Sequence, residues 1–180
     1  LTTLTANNLV TCNGSFSPSG LGSLTTLSFP AITTIAGDFS PNLAALTTLS
    51  FPVLTSIAGT FGITGSNNLL TISLPELLTV GNLSISLGNT LQTLSLPKLT
   101  KCYGAFNPTL NAVTTCTIPL LTEVHGSFSP AFNSLANLTM NNLTIVGRFS
   151  PSPMQGCTTL SFASLAICKS HFSPNTMIQL

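Results

Sequence analysis

Residues 24–41 read Leu24-Thr-Thr-Leu27-Ser-Phe29-Pro-Ala-Ile32-Thr-Thr-Ile35-Ala-Gly37-Asp-Phe39-Ser-Pro41. After a short turn the chain repeats itself as Leu46-Thr-Thr-Leu49-Ser-Phe51-Pro-Val-Leu54-Thr-Ser-Ile57-Ala-Gly59-Thr-Phe61. The pattern extends in both directions. With its second leucine as anchor, the unit recurs at Leu4, Leu27, Leu49, Ile72, Leu94, Cys116, Leu138 and Leu160, at spacings of 23, 22, 23, 22, 22, 22 and 22 residues. A fixed period of this length predicts a solenoid, in which each repeat is one coil and buries its apolar face only against its neighbours.

Aligning the units on the anchor gives six apolar columns. One is nearly all phenylalanine: Phe16, Phe39, Phe61, Leu83, Phe106, Phe128, Phe149 and Phe172. The Thr-Leu-Ser-Phe stretch alternates out and in, which is strand periodicity. Leu-Thr-x-Ile and Phe-Ser-Pro fit further short walls. The fold expected is mainly β: a parallel β-solenoid of eight coils with a 22–23-residue repeat, forming a single domain over residues 1–180 without evident caps. Coils about 4.8 Å apart make a rod roughly 40 Å long. Glycines at the bends (Gly14, Gly37, Gly59, Gly104 and Gly126, with Gly81 and Gly147 one residue early) predict unusual backbone angles there. Asn67, Asn89, Asn111 and Asn133 predict an asparagine ladder at a turn.

The stretches from Pro52 to Gly59 and from Leu74 to Ser86 resemble the leucine-rich repeats of receptor L domains. The Pro-x-Leu-Thr-x-Ile unit is similar to the repeats of the BspA-like, Treponema-type leucine-rich family. The resemblance implies an LRR-like β-helix that is extracellular or on the cell surface, non-enzymatic, and used in adhesion or recognition.

Composition narrows the function. Only seven of 180 residues are Lys, Arg, Asp or Glu. That excludes nucleic acid as a partner, because phosphate neutralisation needs a basic patch. Near-zero net charge favours self-association. Apolar runs are broken by Thr or Ser well short of the roughly 20 residues a membrane span needs, so no membrane insertion is expected. The chain opens at Leu1 already in phase and without Met, and Leu180 falls near the first leucine of a would-be ninth coil. It reads as a processed or excised segment, or as part of a longer array.

Two outward columns flank the anchor. They hold Thr3, Thr26, Thr48, Thr71, Thr93, Thr115, Asn137 and Thr159 on one side, and Thr5, Ser28, Ser50, Ser73, Ser95, Thr117, Thr139 and Ser161 on the other. This uncharged hydroxyl ladder is the candidate binding face, and it resembles the ice-binding faces of antifreeze solenoids. The sequons at Asn13, Asn82, Asn137 and Asn142 are candidate N-glycosylation sites, with Asn13 and Asn82 at bends the best acceptors.

No catalytic, cofactor or metal site is expected. The five cysteines replace aliphatic residues in core columns and are expected as reduced, buried thiols. His125 and His171 lie two coils apart with no carboxylate in register. The end coils, through Leu4, Leu9 and Phe16 at one end and Leu160, Leu165 and Phe172 at the other, are the candidate surfaces for head-to-tail assembly. The function expected first is a non-catalytic extracellular structural or adhesive rod whose partner is itself. Ice binding is the alternative. A carbohydrate-binding or carbohydrate-active β-helix comes third, with a glycan or another surface protein as further possible partners.

Overall fold

The computed structural model describes residues 1–152 and 154–173. Leu180 therefore lies outside the described residues. Within them the chain is all strand and turn, with no helix, and winds as a parallel β-solenoid of eight coils. Every strand pairing is parallel, and the register is that of the sequence columns: Leu4 lies against Leu27, Leu27 against Leu49, and Ile72 against Leu94. Equal coil length forces this arrangement. A chain that returns to the same point every 22–23 residues lays like side chains over like.

The first wall is built from the anchor strands, such as Thr26–Ser28 and Thr93–Ser95. The second holds Thr34–Ile35 and its equivalents, and forms one sheet running through all eight coils from Thr11–Cys12 to Ile167–Cys168. The third wall is thinner, mostly single bridges such as Phe16 to Phe39 and Phe39 to Phe61. The second wall runs on around the corner in coils six and seven, as Glu123–Phe128 and Ile145–Phe149, and continues farthest in coils three and four, as Ser56–Thr64 and Thr79–Gly88. There Ile63 and Ile85 stand where other coils have Pro41, Pro108 or Pro130. Proline has no amide to donate, so its absence lets the ladder continue.

The six columns point inward. In the middle coils most positions are sealed, with Leu27, Leu46, Phe39, Phe61 and Leu94 at or near zero exposure, while the anchors Leu49 and Cys116, at the two breaks of the first wall, are only partly buried. The phenylalanine column is a face-to-face stack, with ring centroids 5.5 Å apart for Phe39–Phe61 and 5.4 Å for Phe106–Phe128. Phe51 meets Phe39 edge-on at 4.9 Å. A seventh inward column, six residues before the anchor, holds Leu43, Leu110, Phe132 and Met154.

The glycine expectation needs correcting. Positive φ occurs at Gly20, Gly65 and Gly88, not at the bend glycines. The bends need glycine because coils approach too closely for a side chain. A Cβ on Gly59 would lie 2.6 Å from the Gly37 carbonyl carbon, and one on Gly126 would lie 2.6 Å from that of Gly104.

Candidate functional surfaces

The hydroxyl ladder lies outside, on the first wall. Thr3, Thr5, Thr48, Thr71, Ser73, Thr115, Thr117, Thr139 and Thr159 are exposed, and Thr26, Ser28, Ser50, Thr93, Ser95 and Ser161 are half-exposed. Ser161 Oγ donates to Asn141 Oδ1 at 2.7 Å. Among the described residues it is the one hydroxyl of these two columns that bonds to protein, so the rest of the ladder faces solvent unpaired.

The wall is not continuous. Its strands form sheets of three, three and two, with no pairing between Thr48–Ser50 and Thr71–Ser73 or between Thr115–Thr117 and Asn137–Thr139. The same two coil steps carry a bulge on the second wall. Val80 and Asn82 pair with Ile57 and Thr60, so Gly81 alone faces Ala58 and Gly59. Val146 and Arg148 pair with Val124 and Ser127, so Gly147 alone faces His125 and Gly126. Coils four and seven are one residue short at this corner, and the outward ladder is interrupted at the step leading into each.

A different set of threonines stitches the coils. Thr55 Oγ1 donates to Thr33 O at 2.9 Å, Thr122 to Thr100 O and Thr144 to Thr122 O at 3.0 Å. Thr25, Thr47 and Thr158 do the same at the entry to the first wall. These hydroxyls supply the second acceptor bond of each carbonyl, which explains a large part of the threonine periodicity without a ligand.

The bend between the second and third walls carries a polar ladder that sequence reading missed. Ser15 Oγ accepts from Asp38 N, Asp38 Oδ1 from Thr60 N at 2.7 Å, Thr60 Oγ1 from Asn82 Nδ2, and Asn82 Oδ1 from Ala105 N at 2.8 Å. It ends at Ala105, which has nothing to offer the next coil. The ladder engages both ends of the Asn82 amide. Asn142 donates to Pro119 O at 2.7 Å. Asn13 and Asn137 are exposed, with no side-chain bond to protein among the described residues. Of the asparagine ladder, one link is formed, Asn133 Nδ2 to Asn111 Oδ1 at 2.8 Å.

All five cysteines are free. Cys102 is buried, and the others are partly covered. Burial pushes the Cys102 thiol up to about 11 and that of Cys116, the inward residue of its strand, up to about 12.

No carboxylate lies in register with His125 across the coils, but one accompanies it along its own strand. Glu123 precedes it by two residues on the same outward face of a strand, and its Oε2 lies 2.7 Å from His125 Nε2. Lys101, one coil back and in register, reaches Glu123 Oε1 at 3.1 Å. His125 first and Lys101 second hold the Glu123 carboxyl below the usual carboxylate range. Lys98 pairs with Glu76 at 2.6 Å in the same one-coil fashion. Among the described residues no three His, Cys, Asp or Glu side chains come together as a metal site.

The end coils differ from the middle. Leu9 is 37% exposed and Phe172 55%, while their equivalents Ile32 and Phe39 in the second coil are at 2% and 0%. Leu4, Phe16, Leu160 and Leu165 are half-covered. At the eighth coil Phe149, Leu160, Phe162, Leu165 and Phe172 line an open apolar hollow of about 470 Å³. No protein-family model, curated protein or solved structure matches the chain.

Proposed function

We propose that this chain is a non-catalytic structural solenoid, working outside the cell or at its surface, whose two end faces stack on further coils of the same kind, whether those of a longer repeat array or, for this chain by itself, those of other copies. One observation carries the reading: the first and eighth coils expose the same core columns in the same phase. A second copy would set Leu4, Leu9 and Phe16 over Leu160, Leu165 and Phe172, repeating a contact made seven times inside the rod. It would also pair the outer edges of the second wall at Thr11–Cys12 and Ile167–Cys168, which are otherwise templates for another strand.

Completing the burial of these six side chains, four half-covered and two exposed, contributes on the order of 5–10 kcal/mol. The cost of association is about 4–15 kcal/mol. The backbone ladder adds about 0.5–1.5 kcal/mol per bond. The terms are close, so stacking is concentration-dependent. The contact joins unlike ends, which do not close on themselves, so growth is open-ended. The resemblance to adhesive leucine-rich families supports the extracellular setting. The interrupted hydroxyl wall favours this reading over ice binding, since lattice matching needs an unbroken spacing.

The test is sedimentation and electron microscopy of the 180-residue chain over a range of concentrations. Rods lengthening in steps of one chain are expected, insensitive to salt, and shortened by Leu165→Lys. A compact monomer at every concentration would overturn the proposal.

A further inference from the structure

We propose that the corner groove of coils six to eight binds an acidic, linear carbohydrate lying along the rod. The inference begins with how the few charges are sorted. The chain has four Lys and Arg residues. Two are neutralised where they stand, Lys98 by Glu76 and Lys101 by Glu123. The other two, Arg148 and Lys169, have no acidic partner among the described residues. They occupy adjacent coils and line one open groove of about 360 Å³, together with His125, Ser127, Gly147 and Ser170. The remaining acid, Asp38, lies in the second coil and is bonded to Thr60 N.

The groove has a structural cause. It sits at the corner shortened in coil seven, where Gly147 alone opposes His125 and Gly126. The row that holds His125 in coil six and Lys169 in coil eight thus has no side chain in coil seven. Here too the bend ladder has lapsed, beyond Ala105. Ser127 Oγ, the Arg148 guanidinium and the Lys169 ammonium make no side-chain hydrogen bond to protein among the described residues, while Ser170 Oγ donates to Gly147 O at 2.9 Å. Donors without partners beside a glycine floor suit a ligand rich in hydroxyl and acid oxygens.

An aromatic extends the line. Tyr103, in coil five, is 58% exposed and meets the His125 ring edge-on at 6.0 Å. Tyr103, His125 and Lys169 share that row and Arg148 stands beside its gap, in register with Ser127, so with coils about 4.8 Å apart the four side chains span about 14 Å along the rod. The Tyr103 face offers an apolar platform for a sugar ring, and the two free cations offer a place for its acid groups. The Glu123 carboxylate also borders the row, held by Lys101 and His125, and it directs the anionic end of the ligand toward coils seven and eight. Two free cations are too few for a nucleic acid, whose binding needs many phosphate contacts. An exposed open groove is also too shallow to hold a small free anion by itself.

Tyr103 is the sole tyrosine of a chain without tryptophan, so intrinsic fluorescence reports on this groove alone. The experiment titrates the full chain at low salt with oligogalacturonate and with dextran sulfate oligomers. Methyl-esterified oligogalacturonate, plain dextran, inorganic sulfate and single-stranded DNA are run in parallel. Saturable change with either acidic oligosaccharide supports the proposal, and the responding arm names the acid as carboxylate or sulfate. At least a tenfold loss is expected in Arg148→Gln with Lys169→Gln, and no change in Lys98→Gln. Both exposed positions permit folding, which thermal melting verifies, and Lys169→Gln alone serves if the double variant is unstable. Equal response to the neutral sugars, to sulfate alone or to DNA would overturn the proposal. So would undiminished binding by the cation variants.

Discussion

The Asp38 carboxylate accepts a hydrogen bond from the Thr60 backbone amide, 2.7 Å away and one coil along. In most soluble proteins an exposed aspartate is a solvated charge. Here it is one rung of the ladder that closes the bend over five coils. Removing a rung leaves an amide short of a partner. Asp38→Ala is expected to cost about 1 kcal/mol, and Asp38→Asn, which keeps an acceptor, much less. Asn82→Ala loses bonds on both sides and should cost about 1–3 kcal/mol. Each kcal/mol lowers Tm by about 2–4 °C in a chain of this size, which calorimetry resolves.

Ser66 should be a site of gain. Its Oγ is buried and has no protein partner. It sits six residues before its anchor, in the column that holds Leu43, Leu110 and Phe132 elsewhere. A buried unpaired hydroxyl costs about 1–3 kcal/mol. Ser66→Ala is therefore expected to raise the denaturation midpoint with an unchanged m-value. A fall would show that the hydroxyl is satisfied.

What was legible in the sequence follows from what repeats by identity. The anchor and phenylalanine columns keep one residue type through most coils, so alignment alone found them and placed them inward. The bend ladder escaped because it repeats by role: Ser15, Asp38, Thr60 and Asn82 share an acceptor oxygen and nothing else. The seventh column escaped because it lies among turn residues, where Gly65 and Gly88 shift the phase. The corner groove depends on the shortening at Gly147, visible in sequence as a glycine one residue early but without its consequence for the neighbouring side chains. The pairing of Glu123 with His125 leaves no mark in the columns because it runs along one strand and not between coils.

The thiols should separate into two classes. Cys12, Cys157 and Cys168 are partly covered and lie in the end coils, whereas Cys102 is buried and Cys116, though also partly covered, points inward in the middle of the rod, and burial raises these two thiols to about 11 and about 12. At pH 8, iodoacetamide is expected to modify the first three in the native state and the other two only on unfolding, as peptide mass mapping reads out. The pH dependence follows in sign. A raised folded pKa stabilises fully below the unfolded thiol value and is lost as pH rises through the folded values. Stability should therefore decline between about pH 9 and 12 and do so less in Cys116→Val.

Two glycines of the same bend should respond oppositely. A Cβ on Gly14 meets nothing within 4 Å, whereas one on Gly147 would collide with the His125 and Gly126 carbonyl oxygens. Gly14→Ala is expected to be neutral or slightly stabilising. Gly147→Ala should cost about 1–3 kcal/mol or more, as overpacking does. Equal effects at both sites would show that the bend is governed by backbone conformation and not by the approach of coils.

The two kinds of threonine give the last test. Thr115 faces solvent and its hydroxyl bonds to no protein group, whereas Thr122 Oγ1 donates to Thr100 O at 3.0 Å from a partly buried position. Valine is nearly isosteric and keeps β propensity, so each substitution isolates the hydroxyl. Thr115→Val is expected within about 0.5 kcal/mol of the parent. Thr122→Val should cost about 1 kcal/mol, because the carbonyl of Thr100 loses an acceptor bond at a site where water cannot fully replace it. The Thr100, Thr122 and Thr144 hydroxyls act in series over consecutive coils, so the triple valine variant should lose about as much as the three single changes together. If Thr115→Val instead proves costly while Thr122→Val is silent, the stitching role belongs to the outward ladder. A measurable thermal hysteresis in the parent that Thr115→Val alters would give that ladder a function in ice binding, against the reading its two interruptions favour.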